Sequence, residues 1–238
     1  SARRPATVWL CRPGHMMDWT ALWLSLRLAG WTVLILLPIS VFAGRFLAYR
    51  TFRGKGIVEA LVMLPLVLPP TVLGFYLLLA FGANSVAGQF WRASFGHSLV
   101  FSFEGLVAAS LIFNLPFAVQ PAQRGFEAIP LAVREAAMCC GMSPLRSLWR
   151  VELPLAWPGV MTAMVLTFAH TLGEFGIVLM VGGSIPGETR TLAISIYDRV
   201  QALDNSGAGL MSAVLLVISL SAILLTFWLS RRAGRRLT

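Results

Sequence analysis

Residues 135–154 read EAAMCCGMSPLRSLWRVELP. Glu135-Ala136-Ala137 favours helix, Gly141 permits a tight turn, and Ser143 can cap a new helix whose first position is Pro144. Leu145, Leu148 and Trp149 then recur at helical spacing between Arg146 and Arg150. The spacing predicts a helix, a turn and a second short helix lying along one face of whatever flanks them. An amphipathic helix resting on a lipid surface fits the same pattern.

What flanks them is apolar. The 238 residues are 57% hydrophobic and 12% charged, with a mean hydropathy of +0.77, whereas a soluble domain carries about 25% charged residues. That excludes a soluble globular enzyme, a disordered tail and a disulfide scaffold. A helix crosses a bilayer with about 20 mostly apolar residues. Five segments meet or approach that length, at 22–47, 57–81, 106–122, 155–181 and 210–229. The fold class expected is all-α and integral to the membrane, with five spans in a single domain over 17–232.

The arginines orient these spans. Eighteen of the 19 basic residues are Arg, gathered in short clusters between the apolar runs. Twelve fall in the first and third connections and after the last span; the other two connections hold only Arg92, Arg190 and Arg199. The positive-inside rule puts the N-terminus outside and the C-terminus in the cytoplasm, with 233–238 a basic cytoplasmic tail. The same distribution argues against a nucleic-acid surface. Arg3, Arg4 and Arg12 oppose this orientation, and the apolar stretch at 8–11 is too short for a signal peptide. With Met16-Met17 just ahead of the first long apolar run, 1–16 reads as a flexible or non-native leader. Cys11, Cys139, Cys140 and the dispersed His15, His97 and His170 form no metal motif.

The opening stretch also carries a resemblance. Glu-Ala-Ala, three residues, Gly141, nine residues, the aliphatic Val151, one residue, then Leu153-Pro154 resembles the signature of ABC-importer permease subunits, with Val where Ile is commoner. The resemblance implies a type I importer permease fold and a coupling helix that docks in a groove of a separate ATPase. It carries that role to Glu135, Ala136, Ala137, Gly141, Met142, Ser143, Pro144, Leu153 and Pro154. Three more stretches, LPLVLPP at 64–70, GEFG at 173–176 and IPGETRTL at 185–192, resemble molybdate-type permeases, relatives of the sulfate and thiosulfate permeases. His170 and Gln120 stand where those relatives often carry Arg. The resemblance implies a bacterial inner-membrane assembly of two permeases, two ATPases and an extracytoplasmic molybdate-binding protein, importing molybdate or tungstate by alternating access. Sulfate or thiosulfate is the alternative cargo.

The residues agree. No GxxxxGK[ST] is present, so no cofactor is expected in this chain, and ATP and magnesium belong to the partner ATPase. Neither HExxH nor GxSxG supports a membrane-embedded enzyme. Five helices make a thin wall for a substrate path, which points to a homodimer in the lipid bilayer.

Candidate path or gate residues follow from cost. Pro65, Pro69 and Pro70 remove backbone donors, so the second span should kink, and broken backbone in a membrane lines a cavity or packs on protein. His170 and Glu174 lie four apart on one helix face, flanked by Gly173 and Gly176. An ionised group there costs about 2.5–3.5 kcal/mol unless it faces protein or water. A carboxylate repels a dianion, so Glu174 suits a structural or gating role, paired with Arg27 of the first span. In the following outer loop, Pro186-Gly187 reads as a turn and 191–201 as an interfacial helix. Pro186, Gly187, Glu188, Thr189 and Arg190 form the candidate binding-protein contact. Arg190 and Arg199 either attract anions or pair with Glu188, Asp198 or a partner.

Overall fold

The computed structural model describes residues 17–234. The leader expected at 1–16 and positions 235–238 of the expected tail lie outside the described residues. Helix α1 (Trp19–Tyr49) is about 46 Å long at 1.5 Å per residue, enough to exceed the hydrocarbon core. Its Asp18 cap accepts from the Ala21 amide at 3.0 Å and from the Ser195 hydroxyl at 3.1 Å, so the cap also fastens a distant helix.

The second predicted span is two helices, α2 (Lys55–Val67) and α3 (Pro70–Phe81), bent by 108° at the break. A residue before proline is driven out of the helical region, and two act here in succession. Leu68, before Pro69, has ψ 138°, and Pro69, before Pro70, has ψ 134°. Pro70 then opens α3 at the position where a missing N–H costs nothing. A ten-residue helix not anticipated from sequence, α4 (Val86–Phe95), follows; Ser85 caps it and Gly96 ends it in the left-handed region. Helix α5 (Phe103–Glu127) extends beyond both predicted ends of the third span.

Helix α6 (Leu131–Cys139) and α7 (Pro144–Ser147) form the expected helix–turn–helix, with one correction. The second helix is not a separate surface element. It continues through a π-helical turn, Leu148–Glu152, into α8 (Leu153–Gly173), one apolar helix spanning Pro144–Gly173. The Leu153 amide reaches back five residues to the Leu148 carbonyl. Pro154, having no N–H, cannot restore the ordinary register at the next step. The predicted fourth span ends eight residues early. Its backbone leaves the helix at Glu174 and Phe175 and restarts as α9 (Gly176–Gly182). Helix α10 (Leu192–Gln201) forms where a helix was expected, and α11 (Asn205–Gly234) is the last described helix.

Among the described residues four helices are long and apolar enough to cross a membrane, and the bent α2–α3 pair makes five if it counts as one span. Helices α1, α5 and α8 pack around Val41, Ala122, Phe126, Ala156 and Val160. Between apolar helices in lipid, close backbone approach replaces hydrophobic drive. Accordingly a Cβ on Gly159 would sit 2.6 Å from the Pro121 carbonyl oxygen and 2.7 Å from Gly125 Cα. Ile57, Leu61 and Val67 of α2, Phe75 and Leu79 of α3, and Leu216, Leu220 and Leu224 of α11 are exposed, as lipid-facing or partner-facing surfaces are.

Candidate functional site

Two sites emerge. The first is the turn between α6 and α7. Gly141 has φ +71°; its amide donates to the Met138 carbonyl at 2.9 Å, and the Met142 amide donates to Ala137 at 3.2 Å. This paired closure needs a left-handed residue just past the helix, which glycine supplies without strain. Ser143 then accepts from the Arg146 amide at 3.4 Å, with Pro144 in the first turn. Glu135, Ala136, Gly141, Ser143 and Pro144 are all exposed and Ala137 is buried, so the turn protrudes as a short, internally satisfied knuckle. Leu153 and Pro154 do not belong to the knuckle; they begin α8 one helical turn beyond it.

Behind the knuckle lies a residue that the sequence reading missed. Glu152 is 2% exposed and receives Arg45 Nε at 2.5 Å, Arg45 Nη2 at 3.0 Å and the Ser147 hydroxyl at 2.9 Å. Arg134 of α6 stacks on the Tyr49 ring, 3.4 Å from guanidinium carbon to ring centroid, and Tyr49 meets Phe126 edge-on at 6.0 Å. The end of α1 is therefore tied to both limbs of the knuckle. An acidic residue at the foot of an apolar segment was a signal available in sequence; its partner 107 residues away was not.

The second site is where the two broken helices meet. A Cβ on Gly176 would lie 3.0 Å from Pro70 Cβ, so the break of α2–α3 abuts the break of α8–α9. Pro69, Pro70, Gly173, Glu174 and Gly176 converge there with His170. His170 Nδ1 lies 3.1 Å from the Asn114 Oδ1, its ring stacks on Phe117 at 4.1 Å, and Glu174 Oε2 is 4.0 Å away. Asn114, fully buried on α5, was also missed, although an amide inside an apolar run is a sequence-level flag for a polar contact. Glu174 accepts the Ile177 amide at 3.3 Å, satisfying one free donor of α9.

The expected Glu174–Arg27 pair does not form. Arg27 is exposed on α1 with its guanidinium 4.9 Å from the Phe103 ring centroid, while Glu174 turns toward α9, whose open N-terminal donors attract a carboxylate.

In the loop before α10, Pro186 and Gly187 (φ +83°) form a turn closed by the Glu188 amide on the Ile185 carbonyl at 3.2 Å. The Thr189 hydroxyl, fully buried, accepts from the Ile185 amide at 3.1 Å. Arg190 lies 3.6 Å from Asp198, and Arg199 lies 2.6 Å from Asp204, so both arginines take the ion-pair option. Among the described residues no group of three His, Cys, Asp or Glu is placed to hold a metal.

Residues 37–238 match the family model described as binding-protein-dependent transport system inner membrane component. The chain belongs to that family. It is thus a multi-pass permease component of the inner membrane and not a catalytic subunit; a binding protein and a separate ATP-binding subunit are its partners in transport. Among its relatives, the molybdenum transport system permease protein ModB of Azotobacter vinelandii is 44% identical over 90% of this chain and 95% of its own length. The Escherichia coli K12 protein of the same name is 34% identical over 92% and 97%. The sulfate transport system permease protein CysT of Salmonella typhimurium is 32% identical over 86% and 76%. The fold is that of solved importer permeases. A bacterial alginate ABC transporter matches with TM-score 0.72 at 17% identity over 90% of this chain and 78% of the other. The MetNI methionine transporter matches with TM-score 0.65 at 18% identity over 90% and 93%.

Proposed function

We propose that this permease conducts molybdate into the cytoplasm, working as a homodimer with two ATPase subunits. The observation that carries this reading is the 44% identity to a molybdenum transport permease along nearly the whole of both chains. The N-terminus faces outward and the C-terminus the cytoplasm, following the arginine distribution, which puts the α6–α7 knuckle beside the ATPase.

In this reading each ATPase grips the knuckle from Glu135 to Pro144, and ATP-driven closure pulls it. Because α7 runs without interruption into α8, and Arg45–Glu152 ties the same base to α1, displacement reaches two membrane helices together. Helix α8 ends at the helix break, where Asn114, His170, Gly173 and Pro70 line the path. Gly173 is exposed, and a Cβ added to it would meet nothing within 4 Å, which leaves room beside the polar groups. Glu174 holds the break rather than the anion. The turn at Pro186–Arg190 receives the molybdate-binding protein.

The test is ATP hydrolysis by the permease–ATPase complex in liposomes with its binding protein, comparing molybdate, tungstate and sulfate. Stimulation by molybdate or tungstate but not sulfate is expected. Stimulation by sulfate alone would reassign the cargo.

A further inference from the structure

A cleft of about 870 Å³ opens between the end of α1 and the knuckle. Its α1 wall carries Phe42, Arg45, Phe46, Tyr49 and Arg50, and α6 contributes Arg134. The charges do not balance. Glu152 is the acidic lining residue and is consumed by Arg45 and Ser147. Arg134 sits over the Tyr49 ring and pairs with no carboxylate among the described residues. Arg50, exposed at the cap of α1, has no ion pair there either. The Tyr49 hydroxyl is buried without a hydrogen-bond partner. Two arginine charges without a carboxylate partner therefore border one cavity.

The apolar part of the lining says what kind of anion fits. Phe42 and Phe46 are 52% and 53% exposed and lie within the last two turns of a membrane-length helix. Both rings also line the cleft, an apolar ramp that leads along α1 to the arginines. A free inorganic anion has no use for that ramp; a molecule with acyl chains and a phosphate does. The C-terminal carbonyls of α1 disfavour an anion, so side chains have to hold it. Planar guanidinium groups suit a phosphodiester, which they can grip at two oxygens. Basic pockets at the membrane boundary are where acidic headgroups bind.

We propose that this cleft binds an anionic phospholipid, its phosphate held by Arg50 and Arg134 and its acyl chains laid along Phe42 and Phe46. The lipid would then brace α1 against the knuckle beside the Arg45–Glu152 pair. The proposal does not depend on which oxyanion is transported.

The experiment is native mass spectrometry of the permease–ATPase complex released from nanodiscs of phosphatidylcholine doped with phosphatidylglycerol. Wild type should retain phosphatidylglycerol selectively, and Arg50→Gln/Arg134→Gln should retain about tenfold less or lower still. Arg150→Gln, an exposed arginine outside the cleft, should retain as much as wild type and controls for general basicity. Equal retention by the double variant, or an equal loss with Arg150→Gln, would overturn the proposal. Displacement of the lipid by millimolar inorganic phosphate would mark a free-anion site instead. Retention by the isolated permease but not by the ATPase-bound complex would make the cleft part of the subunit interface, and would also overturn it.

Discussion

Arg45 and Glu152, 107 residues apart, form a two-point ion pair with Nε–Oε2 at 2.5 Å and Nη2–Oε1 at 3.0 Å. The carboxylate side chain is 3% exposed and the arginine 28%, so the two ends of the pair are unequal. Arg45→Gln strands a buried carboxylate and should destabilise the permease by about 2–3 kcal/mol, less than a fully buried pair costs when broken, because the arginine keeps some solvent. Glu152→Gln, which leaves Arg45 able to reach water and the Tyr49 ring, should cost less. Thermal unfolding in detergent checks the order, and Arg45→Gln/Glu152→Gln should recover part of the loss. Additive losses in the double variant would show that the two groups act separately.

Gly141 and Gly159 should fail differently when replaced by alanine. A Cβ on Gly141 meets nothing within 4 Å, so Gly141→Ala carries only left-handed strain, about 1–2 kcal/mol. Its thermal midpoint should fall by only a few degrees while ATP-coupled transport falls. Gly159→Ala drives a methyl into Pro121 and Gly125 of α5 and should cost about 1–3 kcal/mol as overpacking. Unfolding and transport measured on both variants separate the two effects.

Glu174 is expected to tolerate Gln and not Leu. A glutamine carbonyl can still accept the Ile177 amide now bound by the carboxylate, whereas leucine leaves that donor open at a cost of about 0.5–2 kcal/mol. Transport by Glu174→Gln near wild type, with Glu174→Leu impaired, fits a helix-break role. Equal, severe loss in both would mean that the charge itself is required.

His170→Ala and Asn114→Ala should each lower the transport rate severalfold, on the scale of one lost polar contact of about 1–2 kcal/mol, while ATPase docking to the knuckle is unchanged. Co-purification of the ATPase with each variant provides that control.

Asp204 links acid stability to the start of α11. Its carboxyl is held below the ordinary 3.8, first by accepting the Gly207 amide, then by the Ser206 hydroxyl and Arg199. A depressed carboxyl stabilises the fold above its unfolded value and loses that contribution as pH falls through its folded value. The thermal midpoint should therefore drop below about pH 4, with a shallower drop in Asp204→Asn.

The elements legible in the sequence were those specified locally. Gly141 and the Ser143-Pro144 pair dictate one closure and one cap, each within a few residues, and apolar runs with arginine-rich flanks mark spans whatever their neighbours. The Pro69–Pro70 kink was legible for the same reason, but its 108° size was not, because an angle depends on what α3 packs against. The π turn at 148–152 and the early end of α8 were hidden, since proline and glycine announce a break without saying which register survives it. The expected Arg27–Glu174 pair failed on the same ground. Opposite charges on two helices do not reveal their rotation about each helix axis.

By itself, then, the sequence determined that this chain is a helical membrane protein with arginine-flanked spans and a helix, a turn and a second helix after Glu135, since hydropathy, capping and turn chemistry act over one or two helical turns. Tertiary structure alone decided that Arg45 reaches Glu152, that Pro70 abuts Gly176, and that His170 finds Asn114. Those contacts join residues tens to more than a hundred positions apart, and they exist only once small residues such as Gly125 and Gly159 let the helices approach and fix their rotation.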